Sequence, residues 1–244
     1  MVSKNQIKLI SSLHQKKFRN AHQLFIAEGV KGIQELLHSN FELEHLYVTV
    51  DHFETVLPSK KSLITESELK KISALTTPNT CLAVFKIPKE KAVINTGLIV
   101  ALDTIRDPGN MGTILRLCDW FGITQVVCST ETVDLYNPKV VQATMGSIAR
   151  VVVNYLNLTD YFKTTSLPVF GTFMEGDNLY TSTLPTEGII VLGNEANGIS
   201  AEIEALVTQR ITIPRFGDLQ QTESLNVATA TAIVLSEFKR GCTS

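Results

Sequence analysis

The chain of 244 residues carries 44% hydrophobic and 19% charged residues, which excludes a wholly disordered protein and predicts a small domain and a medium one. Its net charge of −2 excludes a polycation. Four cysteines without a CxxC pair, no signal-peptide pattern and no apolar stretch near the roughly 18 residues of a membrane helix predict a cytoplasmic protein with no membrane partner.

The first predicted domain spans 1–93 and is a small α/β unit. Its start, 1–27, holds no acid but five basic residues, Lys4, Lys8, Lys16, Lys17 and Arg19. This block is either the solvated face of a helix over 1–20 or a surface that meets phosphates. The further predicted elements are a helix at 29–39, a strand at 43–50, a helix at 66–75 opened by the capping-box pair Thr65 and Glu68, and a strand at 81–87.

A linker, PKEKAVINTG at 88–97, leads to a second predicted domain over 97–244. Short apolar strands alternate there with helical segments, a pattern typical of a mostly parallel sheet with helices on both faces. The predicted strands are 98–103, 124–129, 149–153, 167–172, 188–193 and 210–214. The predicted helices are 110–121, 138–147, 159–165, 200–208 and 224–240. In such sheets, ligands bind beyond the carboxyl ends of the strands.

The segment IRDPGNMGTILRLCDWFG at 105–122 joins a strand to a helix through a glycine-bearing turn. It has neither the dinucleotide fingerprint nor a P-loop, which disfavours both of those sites. Asn110 can cap the helix, and Gly112 lets another backbone or a ligand come close. Arg116 shares a helix face with Gly112 and Trp120, so it either reaches to solvent or holds an anion.

Two later segments also follow predicted strands. In GIIVLGNEANGIS, Gly193 and Gly198 permit unusual dihedral angles that turn backbone groups toward a ligand, while Glu195 either takes part or caps the next helix. In ITIPRFGDLQQTESLNV, Ser224 and Asn226 stand where the last helix opens. Their side chains can bond a group outside that helix, and the alternative is a C-terminal helix that only packs on the sheet.

Together these segments resemble the SpoU-type (TrmH-like) RNA 2′-O-ribose methyltransferases of the SPOUT superfamily. The matching motifs are N-x-G-x-x-x-R from Asn110 to Arg116, L-G-N-E-x-x-G from Leu192 to Gly198, and I-P followed by E-S-L-N-V, which ends at Val227. KFRNAHQLFIAEGVKGIQELL at 17–37 is similar to the accessory RNA-binding module of that family. The loop 215–223 departs from the family pattern by about three extra residues, which puts local cofactor contacts in doubt.

The resemblance implies a C-terminal trefoil knot, S-adenosyl-L-methionine as cofactor, no metal, and a homodimer with active sites near the subunit interface. Ribosomal RNA is the favoured partner, because the accessory module resembles small ribosomal proteins. Three alternatives stay open: a transfer RNA 2′-O-methyltransferase, a non-catalytic RNA-binding paralogue, and a nicotinamide-dependent enzyme with an unusual turn.

The resemblance also assigns residues. Arg116 is expected to be the central catalytic residue; because a guanidinium stays protonated, its natural tasks are to hold an RNA phosphate and to stabilise a developing alkoxide. The other expected catalytic residues are Asn110, Glu195, Ser224 and Asn226, with Glu195 as the carboxylate that could take the proton. The expected cofactor residues are Thr172, Leu192, Gly193, Asn194, Ile213 and Leu225. The expected RNA contacts are Lys16, Lys17, Arg19 and Arg116.

Overall fold

A computed structural model describes residues 2–217 and 224–240, and within it the chain forms two compact units. The helices are α1 Lys4–Ser12, α2 Lys16–His22, α3 Val30–Leu37, α4 Glu66–Ile72, α5 Pro108–Trp120, α6 Pro138–Thr144, α7 Leu158–Thr164, α8 Ala201–Glu204 and α9 Val227–Arg240. The strands are β1 Leu24–Glu28, β2 Leu43–Val48, β3 Lys61–Leu63, β4 Cys81–Lys86, β5 Leu98–Leu102, β6 Gln125–Cys128, β7 Val152–Tyr155, β8 Val169–Asn178, β9 Gly188–Leu192 and β10 Gln209–Thr212. None of these helices is long and apolar enough to cross a membrane.

Unit 1 runs to Glu90 and also includes Asp134–Ala149, while unit 2 takes Lys91–Val133 and the chain from Arg150 onward. The sequence-based division placed 134–149 in the second domain. In the structure, α6 from this segment packs against β1 of unit 1. Units and predicted domains therefore differ over this segment, and the predicted domain boundaries stay a prediction.

Unit 1 contains a four-stranded sheet in the order β1-β4-β2-β3, in which β4 runs antiparallel to both of its neighbours. The predicted capping box of α4 is present, with Thr65 and Glu68 exchanging hydrogen bonds. The single helix expected over 1–20 is instead two helices, α1 and α2. Ile10 and Leu13 lie buried in the core of the unit, so this basic stretch is part of the packed structure.

Unit 2 contains a six-stranded sheet in the order β10-β8-β9-β5-β6-β7, with every neighbouring pair parallel. The predicted α/β class with a mostly parallel sheet is confirmed. All residues of β5 and β9 are buried, as expected for central strands made of Leu, Ile and Val. Helices α5 and α9 pack against each other. The trefoil knot stays a prediction.

Strands β1 and β3 of unit 1 were not predicted, and in unit 2 the main departure is in β8, which was expected at 167–172. Its first residues pair with β10 up to Gly171, and pairing resumes only at Asp177. Residues 172–176 therefore leave the ladder between β8 and β10. A register break of this kind depends on the partner strand, so the sequence of β8 alone could not predict it.

Candidate active site

A cavity of about 1050 Å³ lies in unit 2, where the loops after β8, β9 and β10 meet the start of α9. All six of the expected cofactor residues line this one cavity: Thr172, Leu192, Gly193, Asn194, Ile213 and Leu225. Glu195 and Ser224 line it as well. Parallel strands converge at their carboxyl ends, which is why residues distant in sequence meet here.

The loop after β9 is shaped by Gly193 and Gly198. Asn194 and Gly198 exchange backbone hydrogen bonds of 2.9 and 2.8 Å, which closes residues 194–198 into a tight turn. A Cβ on Gly193 would lie only 2.2 Å from the carbonyl carbon of Gly198. Gly198 itself has a φ of 69°, a conformation that glycine adopts without strain. The turn thus requires glycine at both positions and leaves the side chain of Glu195 exposed at its tip.

Three predicted catalytic side chains form one chain of hydrogen bonds. The Asn226 side-chain oxygen accepts the backbone N–H groups of Ala228 and Thr229, at 3.0 and 3.2 Å. The amide group of Asn226 therefore faces away from the helix and donates to Asn110 Oδ1 at 2.9 Å. Asn110 in turn donates from Nδ2 to Glu195 Oε1 at 2.5 Å. The N-terminus of α9 thus fixes the orientation of the side-chain amides of Asn226 and Asn110. The Glu195 carboxylate accepts the last hydrogen bond of this chain.

Two capping expectations for these residues were wrong. Asp107, not Asn110, caps α5, because its carboxylate accepts the backbone N–H of Asn110 at 2.7 Å. The side chain of Asn110 is consequently available for Glu195. Glu195 does not cap the following helix, since α8 begins after Ser200 and the carboxylate of Glu195 is held by Asn110.

Arg116 lies on α5 beyond this chain of hydrogen bonds. Its side chain is exposed, and it makes no hydrogen bond or ion pair with any other described residue. It does not line the cavity. Gly112, expected to let another backbone or a ligand come close, is buried in α5, the helix that packs against α9. Trp120, one turn beyond Arg116, is 84% exposed.

The expected RNA contacts in unit 1 divide into two kinds. Lys16 and Lys17 are exposed on α2. Arg19 is only 2% exposed, and its guanidinium donates to the Asp134 carboxylate and to the Leu13 carbonyl. The prediction that Arg19 contacts RNA is therefore wrong: its donors are occupied inside unit 1, so it supports the fold.

The sequence interpretation missed several cavity residues because it ended the preceding strand at Thr172. Phe173 and Met174 line the cavity from the segment that leaves the β8–β10 ladder. The Arg210 guanidinium lies 3.7 Å from the centroid of the Phe173 ring, and Arg210 also pairs with Glu204. These contacts hold one wall of the cavity in place. The sequence around Phe173 and Met174 contains no motif that would have identified them as site residues.

Residues 218–223 lie outside the described residues, as does Cys242. They include Glu223 of the third motif and most of the longer loop.

The described parts of the chain hold no group of three or more His, Cys, Asp or Glu side chains that could bind a metal ion. Burial raises the pKa of the Cys118 thiol, which lies on α5, far above its usual range. Cys118 is therefore not an activated nucleophile, because only the thiolate attacks.

The fold and the cavity define an α/β domain with a ligand site at the carboxyl ends of a parallel sheet, preceded by a smaller α/β unit. The chain belongs to the SpoU rRNA Methylase family, whose model matches residues 97–236. Residues 4–83 match the MRM3-like substrate binding domain. The predicted family is thereby confirmed.

Known relatives span the whole chain. It is 30% identical to the 23S rRNA (guanosine(2553)-2′-O)-methyltransferase RlmP of Bacillus subtilis, over 97% of each chain. A putative RNA methyltransferase of the TrmH family from Porphyromonas gingivalis has 44% identity and a TM-score of 0.90, over 99% of each chain. An AdoMet-bound rRNA methyltransferase from Sinorhizobium meliloti has 26% identity and a TM-score of 0.88, covering 100% of this chain and 98% of its own.

Proposed function

We propose that this protein transfers a methyl group from S-adenosyl-L-methionine to a ribose 2′-hydroxyl of ribosomal RNA. The observation that carries the proposal is the hydrogen-bond chain from Asn226 through Asn110 to Glu195, which ends beside the cavity. The name of the Bacillus subtilis relative specifies 2′-O-methylation of a guanosine in 23S rRNA, and the Sinorhizobium meliloti structure contains AdoMet. Both support the assignment of substrate and cofactor.

The cavity fits this cofactor in size and in chemistry. Its volume of about 1050 Å³ is just above the range of about 300–1,000 Å³ for small-molecule sites. Leu192, Ile213 and Leu225 offer apolar walls for an adenine ring. The backbone of Gly193 offers polar partners for the remainder. When bound, the cofactor supplies a methyl group already activated on a sulfonium, so the protein has to position and deprotonate the hydroxyl.

Glu195 is the group we assign to the ribose hydroxyl. One of its oxygens accepts from Asn110, while Oε2 has no hydrogen-bond partner among the described residues. We therefore infer that Asn110 and Asn226 keep the Glu195 carboxylate aimed, with Oε2 left to accept the hydroxyl proton. Ser224, on the cavity wall, orients the ribose in this proposal.

Arg116 serves the RNA side of the site. It is exposed and uncommitted within the described part of the chain, so its five donors are available to a phosphate. A guanidinium that grips the phosphate next to the target ribose also lowers the free energy of the developing alkoxide. Lys16 and Lys17, exposed on α2, supply further contacts to the RNA backbone.

We also propose that the protein is a homodimer, and that Trp120 is an anchor of the interface. A tryptophan that is 84% exposed leaves a large apolar surface in water, and aromatic side chains of this kind dominate the energetics of protein interfaces. Its position one turn beyond Arg116 would bring a second copy close to the residue that meets the RNA.

Buried thiols at Cys81, Cys118 and Cys128 support a reducing compartment, which we take to be the cytoplasm.

Replacing Arg116 by alanine tests the proposed function. We expect methyl transfer to ribosomal RNA to fall by at least about 100-fold, because one preorganised donor to a developing anion contributes that much. The affinity for S-adenosylhomocysteine should stay within about threefold, since Arg116 is not part of the cavity. Tritium transfer from labelled cofactor and calorimetry measure the two quantities.

The matched control is Lys163→Ala, which removes a cation from α7, away from the site. It should leave both quantities unchanged. Methyl transfer that survives in Arg116→Ala would rule out the assigned role of Arg116. A wild-type protein that binds ribosomal RNA without any transfer would instead identify a non-catalytic RNA-binding paralogue, and transfer to transfer RNA alone would replace the substrate.

A further inference from the structure

A second set of polar residues lies at the carboxyl end of β5. These residues contact the turn of residues 194–198, which we call the Glu195 turn, and Ser200 just after it. Asp103 is only 3% exposed, which is unusual for a carboxylate. Both of its oxygens are used: Oδ2 accepts the backbone N–H of Ser200 at 2.7 Å, and Oδ1 accepts the hydroxyl of Thr104 at 3.0 Å. A buried, fully hydrogen-bonded carboxylate of this kind holds neighbouring groups in place.

Thr104 has an unusual backbone conformation. Its φ of 60° lies in the left-handed region, where a β-branched residue is strained. The surroundings hold it there, because the Thr104 N–H donates to Ser129 Oγ at 3.0 Å. As a result its carbonyl oxygen faces the next loop and accepts Nδ2 of Asn194 at 2.7 Å.

These contacts secure the Glu195 turn at both ends. Asn194, at the start of the turn, is held by the Thr104 carbonyl, and its own Oδ1 accepts the N–H of Ala196 at 2.9 Å. Ser200, just after the turn, is held by Asp103. Glu195 lies between the two attachment points, and its carboxylate reaches Asn110 at 2.5 Å.

We propose that Asp103 and Thr104 are positioning residues for Glu195. They do not line the cavity, and Asp103 has no oxygen left over to act on a substrate. Their role is to fix the loop after β9 so that the Glu195 carboxylate stays aimed at the reacting hydroxyl. This inference rests on the proposed function for the identity of the reaction, while the hydrogen bonds that carry it are those of the fold itself.

A double-mutant cycle tests the proposal. We expect Asp103→Ala to lower kcat for methyl transfer at least tenfold, with the affinity for S-adenosylhomocysteine within about threefold. Asp103→Asn should recover most of this loss, because the amide oxygen can accept from Ser200 while its NH₂ donates to the Thr104 hydroxyl. In a Glu195→Gln background, Asp103→Ala should cause little further loss, since both changes remove the same function.

Asp160→Ala, the same substitution on the exposed surface of α7, is the control and should leave kcat unchanged. If the losses of kcat caused by Asp103→Ala and by Glu195→Gln multiply when the two substitutions are combined, the proposal is overturned. If Asp103→Ala does not fold, the cycle is run with Ser129→Ala, which removes the acceptor of the Thr104 N–H, and hydrogen exchange of the segment 193–200 is measured in parallel. Exchange there should accelerate relative to the rest of unit 2, and an unchanged pattern would overturn the proposal even in a protein that shows no methyl transfer.

Discussion

Arg19 and Lys17 lie in the same short basic block, but Arg19 is buried and Lys17 is exposed. The sequence pattern identified this basic block, and it predicted RNA contacts for Lys17 and Arg19 alike because both are cations. What separates them is a partner 115 residues further along the chain: Asp134 receives two donors of the Arg19 guanidinium. Local patterns report residue type and periodicity, whereas a long-range ion pair depends on how the chain folds back on itself.

Replacing Arg19 by alanine should lower the free energy of unfolding of unit 1 by about 3–5 kcal/mol, because it leaves the Asp134 carboxylate, 13% exposed, without its counter-charge. Urea unfolding followed by circular dichroism measures this. Lys17→Ala, two positions away and exposed, should change stability by no more than about 0.5 kcal/mol but weaken RNA binding. Equal losses of stability in the two variants would refute this division of tasks.

At the scale of elements, the site is assembled from loops whose ends are set by parallel strands. Apolar runs predicted β5 and β9 closely, because continuous Val, Ile and Leu residues have few alternatives to a buried strand. The segment 172–176 was not predicted, since it is the register against β10 that forces it out of the ladder. Asn110 was expected at the site, but its hydrogen bond to Glu195 was not predicted, because the sequence also offered Asn110 as the cap of α5, the position that Asp107 takes.

The turn after β9 provides the prediction at this scale. Gly193→Ala places a Cβ 2.2 Å from a backbone carbon, a clash that only a shift of the turn can relieve. We expect the free energy of unfolding to fall by about 1–3 kcal/mol and the affinity for S-adenosylhomocysteine to fall at least about tenfold. Thermal unfolding and calorimetry give the two values.

Gly32→Ala is the opposite case. Nothing lies within 4 Å of a Cβ at Gly32, which is in α3, so alanine there should stabilise the protein by about 0.5–1 kcal/mol. Cofactor affinity should not change. A Gly193→Ala protein that binds cofactor like the wild type would show that the turn tolerates the added atom.

For the whole molecule, the resemblance to a family supplied predictions that periodicity could not: the cofactor and the RNA substrate, and the dimer that stays a proposal. The first 20 residues illustrate the difference. The sequence predicts a basic helix over 1–20, yet Ile10 and Leu13 from this segment belong to the core of unit 1. Deleting them would remove part of that core along with the charges, so substitution of single lysines is the sharper test of RNA contact.

The proposed dimer can be tested at Trp120. Trp120→Glu should convert a dimer into a monomer at micromolar concentration, because it places a charge in an apolar interface. Sedimentation equilibrium measures the mass, and methyl transfer should fall with it. Leu57→Glu, at a residue of unit 1 that is 65% exposed, is the matched control and should remain a dimer. A Trp120→Glu protein that remains dimeric would place the interface elsewhere.

The inclusion of 134–149 in unit 1 has a consequence for how the protein emerges during synthesis. Strands β5 and β6 of unit 2 leave the ribosome before Asp134 and α6 are available to Arg19 and β1. Unit 1 therefore cannot reach its final packing while it is the sole part of the chain exposed, although domains commonly fold in order from the N-terminus. The packing of unit 1 is completed only after about sixty further residues beyond Glu90 have been synthesised.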